Sequence, residues 1–258
     1  MKILKRSEMT AAAIAGRNAK KAGHELEHKL AALFDNLFGG THVVDGRPQT
    51  KVDMYEENSK RKYSIKSISK NHTQVALLST EKFIKHFKIK GHSETFLRMF
   101  FGYANPELKS IVQDKHPDLK LSDKEIHQNR VYKDNIEPNI STAFVKWMNK
   151  NKLEIFDVIV RRGFDGDAVD TVIWHTKGSE LLRMVAVNMM EKRVRTGKWS
   201  LNNTTLEFRL SDGRKLFHLQ MKGSGKKYNS GYHGMMFHIY NINYNTTYTI
   251  LLYILDIL

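Results

Sequence analysis

The stretch from Val52 to Lys66, VDMYEENSKRKYSIK, constrains the fold more tightly than any other part of the chain. Val52-Asp53-Met54-Tyr55 and Tyr63-Ser64-Ile65-Lys66 alternate polar and apolar side chains as half-buried strands do, and Asn58-Ser59-Lys60 supplies turn chemistry between them. A two-residue loop at Asn58-Ser59 sets Asp53 opposite Ser64, and one at Ser59-Lys60 sets Asp53 opposite Lys66. Side chains alternate with period two, so either register gathers Asp53, Ser64 and Lys66 on one face. A three-residue loop breaks the set, because Asp53 then faces Ile65.

An acid at the end of one strand with x-x-Lys on its neighbour resembles the PD-(D/E)xK arrangement of metal-dependent nucleases. Phosphodiester hydrolysis needs a divalent ion to polarise the scissile phosphate and activate water. Asp53 is the candidate oxygen ligand for Mg²⁺, a hard cation that prefers carboxylates and retained waters. Lys66 is the candidate for orienting the nucleophile and stabilising charge on the phosphorane. Ser64 stands where a second carboxylate usually sits, so another acid has to compensate. Glu27 is the first candidate and Glu81, in LLSTEKFIKHF, the second.

Glu27 belongs to a predicted helix. Leu26, Leu30, Leu33, Phe34 and Leu37 form an apolar stripe at helical spacing. At ~100° per residue, His24 and His28 fall roughly 135° and 175° from the stripe's centre, and Glu27 roughly 75° from it, at the border. His24-Glu25-Leu26-Glu27-His28 also spells H-E-x-x-H, the zinc helix of peptidases. Both histidines are expected to face solvent, and no H-x-x-G-x-x-H extension follows His28, which argues against a peptidase.

Charge points to a polyanionic partner. Among 258 residues, Lys plus Arg number 42 against 27 acids, a net charge of +15. There is no cysteine, which excludes disulfides and thiolate metal sites and fits a reducing compartment, with cytoplasmic placement expected. AAAIAG near the start is short and followed by Arg17, Lys20 and Lys21, so it reads poorly as a secretion signal, and no membrane partner is expected.

The second half reads as the DNA-binding part. Phe144, Trp147 and Met148 form a helical apolar face, and IFDVIVRR after them reads as a buried strand, with Arg161, Arg162 and GFDGDAVD placed to approach DNA. GFDGD fails calcium-loop spacing and is expected to be a tight turn. LQMKGSGKKYNSGYHG strings Lys222, Lys226 and Lys227 among glycines, with Ser224, Tyr228 and Asn229 between them. Lysines there suit phosphate or guanine edges; Gln220 suits adenine, phosphate or backbone. A solvated glycine-rich hairpin loop accounts for the same block equally well. His233 and His238 are weaker candidates for DNA contact. The expected division is a catalytic half at 1–105 and a recognition half at 106–240, whether two units or one continuous domain. The role of the apolar tail at 241–258 is open.

Taken in order, these blocks resemble the small type II restriction endonucleases of the HinP/MspI group, within the PD-(D/E)xK superfamily. The resemblance runs from about Gly23 to Tyr240 through the helix E..KLAALFDNLF, the Asp53/Ser64-Ile65-Lys66 hairpin, ETFLRMFFGY, FVKWMNKNKLEIFDVIVRRGFDGDAVDTVIW and GRKLFHLQMKGSGKKYNSGYHGMMFHIYN. That group carries an amide where Ser64 stands here. The resemblance implies an α/β (α+β) fold, a restriction-endonuclease-like mixed β-sheet flanked by helices. It also implies Mg²⁺-dependent cutting of double-stranded DNA at a short palindrome of about four base pairs, leaving 5′-phosphates. Asp53 and Lys66 match the metal ligand and catalytic lysine, and Glu27 the helix acid. The implied protein is a monomer or weak dimer, with a cognate DNA methyltransferase as a functional companion and not a bound subunit. A non-catalytic DNA-binding protein would share the charge and the glycine–lysine block. A junction-resolving nuclease would share the site but cut by shape.

Overall fold

A computed structural model describes residues 11–47, 50–68, 71–101, 138–164, 166–177, 181–202, 205–222, 234–240 and 248–251. The described chain is a mixed α+β fold with two sheets and flanking helices, as expected. One sheet has six strands in the order β1 (His42–Val44), β2 (Met54–Glu56), β3 (Lys62–Ile68), β5 (Thr171–Thr176), β6 (Leu181–Ala186), β11 (Tyr248–Leu251). It is mixed because β3 and β5 run parallel while its other pairs are antiparallel. The second, antiparallel sheet runs β4 (His72–Ser79), β10 (Gly234–Tyr240), β9 (Lys215–Lys222), β8 (Thr205–Arg209), β7 (Lys198–Asn202). Each sheet draws strands from both sides of residue 106, and the tail supplies β11.

Period two decides which face of the first sheet meets what. Met54, Tyr63, Ile173 and Leu182 form the outer face, covered by α1 (Ala11–Phe38) through Leu30, Ala31, Leu33 and Phe34. The predicted stripe is therefore buried at Leu30, Leu33 and Phe34 and partly buried at Leu26, whereas Leu37 is exposed in the last turn of α1. Ile68, Val172, Trp174 and Val185 point the other way, into the core shared with Phe208, Phe217, Leu219 and Phe237 of the second sheet. Asp53, Ser64 and Lys66 lie on this inner face.

Helices α2 (Thr80–Phe87), α3 (His92–Phe101) and α4 (Pro138–Lys150) close one side of the core. Phe144 of α4 stacks on Phe96 of α3, and Met148 is buried while Trp147 packs against Phe83 and Phe87 of α2. IFDVIVRR departs from expectation. It is no strand: Lys152–Phe156 is a short helix, α5, which continues as one π-helical turn at Asp157–Arg161. A short apolar run is compatible with a buried helix as well as a strand, and here Ile155, Phe156, Val158, Ile159 and Val160 are all buried around the wide turn. Helix α6 (Val187–Thr196) follows β6.

Gly197 joins α6 to β7 under the ring of Phe208. A Cβ there would lie 2.4 Å from Phe208 Cε1 and 2.8 Å from the Arg209 carbonyl oxygen. Gly197→Ala is expected to lose about 1–3 kcal/mol, the usual cost of overpacking, seen as a lower urea midpoint with unchanged slope. An unaltered midpoint would contradict this packing.

Candidate active site

The hairpin takes the register that places Asp53 opposite Ser64, with Met54 paired to Tyr63 and Tyr55 to Lys62. The backbone N–H of Asp53 donates to the Tyr63 carbonyl at 2.8 Å, and that of Glu56 donates to the Arg61 carbonyl at 2.9 Å. The loop is longer than two residues but centred on the same pair, which preserves parity. The Glu56 carboxylate holds it by accepting the N–H groups of Asn58 (2.8 Å) and Ser59 (2.5 Å), and Lys60 closes it with φ of 57°.

Three donors converge on Asp53 Oδ2: Ser64 Oγ at 3.0 Å, the Ile65 N–H at 2.6 Å and Lys66 Nζ at 3.2 Å. Lys66 Nζ also donates to the Ile65 carbonyl at 3.2 Å. Ser64 is fully buried, whereas the Asp53 and Lys66 side chains keep 22% and 19% exposure, enough to meet a ligand. With its proton on Asp53, the Ser64 hydroxyl anchors the carboxylate. Asp53 Oδ1 accepts no hydrogen bond among the described residues, which leaves an anionic oxygen beside an ammonium group.

Sequence reasoning missed Lys51. Its Nζ donates to the Val75 carbonyl of β4 at 2.6 Å, tying the hairpin to the second sheet. Burial, and then the nearby Lys66 charge, push its pKa down to about 7, while Asp53 pulls the other way. No local pattern could have singled it out among the chain's lysines. Unfolded, it titrates near its ordinary 10.5, so the native state takes up a proton less readily than the unfolded chain. The resulting penalty is fully present below about 7 and is relieved as pH rises toward 10.5. Lys51→Met is therefore expected to be more stable than wild type at pH ~6.5, with the difference shrinking by pH ~9.5. Urea midpoints of both proteins at the two pH values check this, and a difference that widens with pH would overturn it.

Asp45 was also missed. Its N–H donates to the Asp53 carbonyl at 3.0 Å, one step beyond the Val44–Met54 pair. Its carboxylate, however, is gripped by Arg47 at 2.6 Å, which holds it below the usual carboxylate range.

The two acids proposed to compensate for Ser64 are not brought to Asp53. Glu27 accepts from His24 Nδ1 at 3.0 Å, on a helix that covers the outer face of the sheet. Glu81 is exposed in the first turn of α2 and does not bond Asp53. His24 and His28 are exposed, and among the described residues no three His, Cys, Asp or Glu side chains form a metal cluster. The group nevertheless fits a weakly held Mg²⁺, which binds through one or two carboxylates plus substrate phosphates and keeps several waters. Asp53 is the residue that would hold it.

Of the candidate DNA contacts, Ser224, Lys226, Lys227, Tyr228, Asn229 and His233 lie outside the described residues. Their flanking strands pair Lys222 with Gly234, so the block does join two hairpin strands. Gln220 lies 3.4 Å from His238 Nε2, on the face of the second sheet opposite the core. There His238 stacks on His218, with His72 beside both. Burial, then His238, His72 and Lys215, lower the His218 pKa to about 4. Arg161 and Arg162 are held by ion pairs, Arg161 to Glu191 at 3.4 Å and Arg162 to Asp157 at 2.7 Å. Gly163 has φ of 75° in the turn expected there, and Asp167 pairs with Lys62 and Arg47.

A carboxylate, a buried hydroxyl and a lysine thus meet on the inner face of a mixed sheet, with the carboxylate and the lysine partly open to solvent. No family model matches the chain, and no curated protein matches it. Among solved structures, it is similar to the restriction endonuclease MspI in complex with its cognate DNA, with 13% identity and a TM-score of 0.38 over 77% of this chain and 69% of that one. It is also similar to HhaI endonuclease in complex with DNA, with 11% identity and a TM-score of 0.31 over 85% of this chain and 91% of that one. No helix among the described residues is long and apolar enough to cross a membrane.

Proposed function

We propose that the protein is a Mg²⁺-dependent endonuclease that cuts double-stranded DNA at a short palindrome of about four base pairs and leaves 5′-phosphates, in the manner of type II restriction enzymes. The observation that carries this reading is the convergence of Ser64, Ile65 and Lys66 on one oxygen of Asp53, at the partly open edge of the inner face. The net charge of +15 supports a polyanionic substrate.

Ser64 and the Ile65 N–H fix the orientation of the carboxylate before substrate arrives, so little reorganisation is needed on binding. When bound, Mg²⁺ supplies Lewis-acid polarisation of the phosphate and a more acidic water. Lys66 is placed to donate to a non-bridging oxygen as charge builds on it. Water adds to phosphorus and loses a proton to solvent. The bond to the 3′ oxygen breaks, that oxygen leaves and takes a proton from solvent as a 3′ hydroxyl, and the phosphate stays on the 5′ end. The Mg²⁺ requirement, the site length and the sequence preference rest on the hairpin chemistry and the sequence resemblance.

The test is incubation of a long, fully sequenced, unmethylated DNA with protein and Mg²⁺, followed by sequencing of the ends. EDTA and Lys66→Ala serve as controls. Discrete fragments that share one short palindrome and vanish in both controls are the expected result. DNA that is bound yet stays intact would sink the nuclease reading in favour of a DNA-binding protein.

A further inference from the structure

We infer that the cleft along the edge of β4 away from β10 holds the phosphate backbone of the DNA strand being cut, beside the Asp53–Lys66 site; this rests on the nuclease reading above. The cleft has a volume of about 1110 Å³. Its walls are β4 with α2 on one side and the turn around Phe164 on the other. Four basic side chains line it, Lys51, Lys82, Lys85 and His86, and no lining residue is acidic.

Position links the cleft to the chemistry. Lys51 lines it, bonds the Val75 carbonyl of β4 and stands two residues before Asp53 in the chain, so the cleft and the catalytic hairpin meet at this residue. Lys82 and Lys85 are exposed one helical turn apart on α2 and form no ion pair among the described residues. At that spacing their stems lie about 5–6 Å apart, so the two ammonium groups can serve neighbouring phosphates of one strand. Ser79 caps the same helix by accepting from the Lys82 N–H at 3.1 Å, which fixes the lysines relative to the edge.

An added peptide strand suits the edge less well. Among the described residues β4 pairs only with β10, but Lys51 already occupies the Val75 carbonyl that a new strand would need. A polyanion asks for no backbone pairing, only for cations along its path.

The experiment compares Lys82→Ala/Lys85→Ala with a control pair, Lys192→Ala/Lys198→Ala. Lys198 lies on β7, at the opposite edge of the same sheet, and Lys192 on α6; both are exposed. Binding of a fluorescein-labelled duplex is followed by anisotropy in EDTA across a salt series, and cleavage is followed with Mg²⁺. The cleft pair is expected to weaken binding roughly tenfold or more. It should also flatten the plot of log affinity against log salt by about 2, since each B-DNA phosphate neutralised contributes about 0.9. The control pair keeps the wild-type slope. Equal losses in both pairs, or a wild-type slope in the cleft pair while wild type binds and cuts, would overturn the cleft alone. A wild-type protein that neither binds nor cuts duplex DNA would overturn both this inference and the nuclease reading.

Discussion

On the proposed function, Asp53→Asn is expected to lower Mg²⁺-dependent cleavage by at least about 10³-fold, because among the described residues it removes the one anionic group at the site that can hold the cation. The substitution keeps an oxygen for Ser64 and the Ile65 N–H, so the hairpin is expected to stay paired. What it removes is the negative charge that pairs with Lys66 and also attracts Lys51. The two lysines then face each other uncompensated, and thermal stability near neutral pH should fall as well. Lys66→Met separates the two effects. It also loses cleavage, but it leaves Asp53 with Ser64, Ile65 and Lys51, so its melting temperature should match or exceed that of wild type. Cleavage rates and melting curves of the three proteins at one pH decide the matter. Asp53→Asn cleaving within tenfold of wild type would remove Asp53 from the chemistry.

Phe83→Ala is expected to cost about 3–5 kcal/mol, the usual range for deleting a fully buried aromatic ring. Phe83 is 0% exposed, and its ring lies 4.6 Å from Phe87, 6.0 Å from Trp147 and 6.0 Å from Phe237. It therefore pins the eight-residue α2 to both α4 and the second sheet. So short a helix has little stability of its own and depends on that docking. Loss of the ring should loosen Lys82 and Lys85 together, and DNA affinity should fall even where the protein is still folded. Urea denaturation gives the first quantity, and anisotropy at a temperature below the transition gives the second. A loss below about 1 kcal/mol would mean that the helix is held elsewhere.

How much was legible in the sequence follows from how local each feature is. The hairpin register came from alternation over a few residues, and parity survived although the loop proved longer. The stripe of α1 was equally readable, as was the solvent-facing position of His24 and His28. IFDVIVRR was misread because a short apolar run has no period that separates strand from helix. Glu27 lay at the border of its stripe by angle, but which sheet face the helix would cover is a tertiary choice that no angle on the helix reports. Lys51 left no signal, since its importance comes from reaching a carbonyl on a strand of the other sheet.

The parallel pairing of β3 with β5 sets an order of events during synthesis. Ser64 and Lys66 lie on β3, whose far side is completed by Val172 and Trp174, more than a hundred residues later in the chain. A nascent polypeptide that has made the hairpin but not β5 therefore has a strand with an unpaired edge and no inner wall behind Ser64. The contacts that converge on Asp53 all lie within the hairpin, but the wall that shelters them is missing while the protein is still short on the ribosome. That wall is in place only after Trp174 has been made, and the long reach of the β3–β5 pairing makes its closure slow compared with the hairpin's.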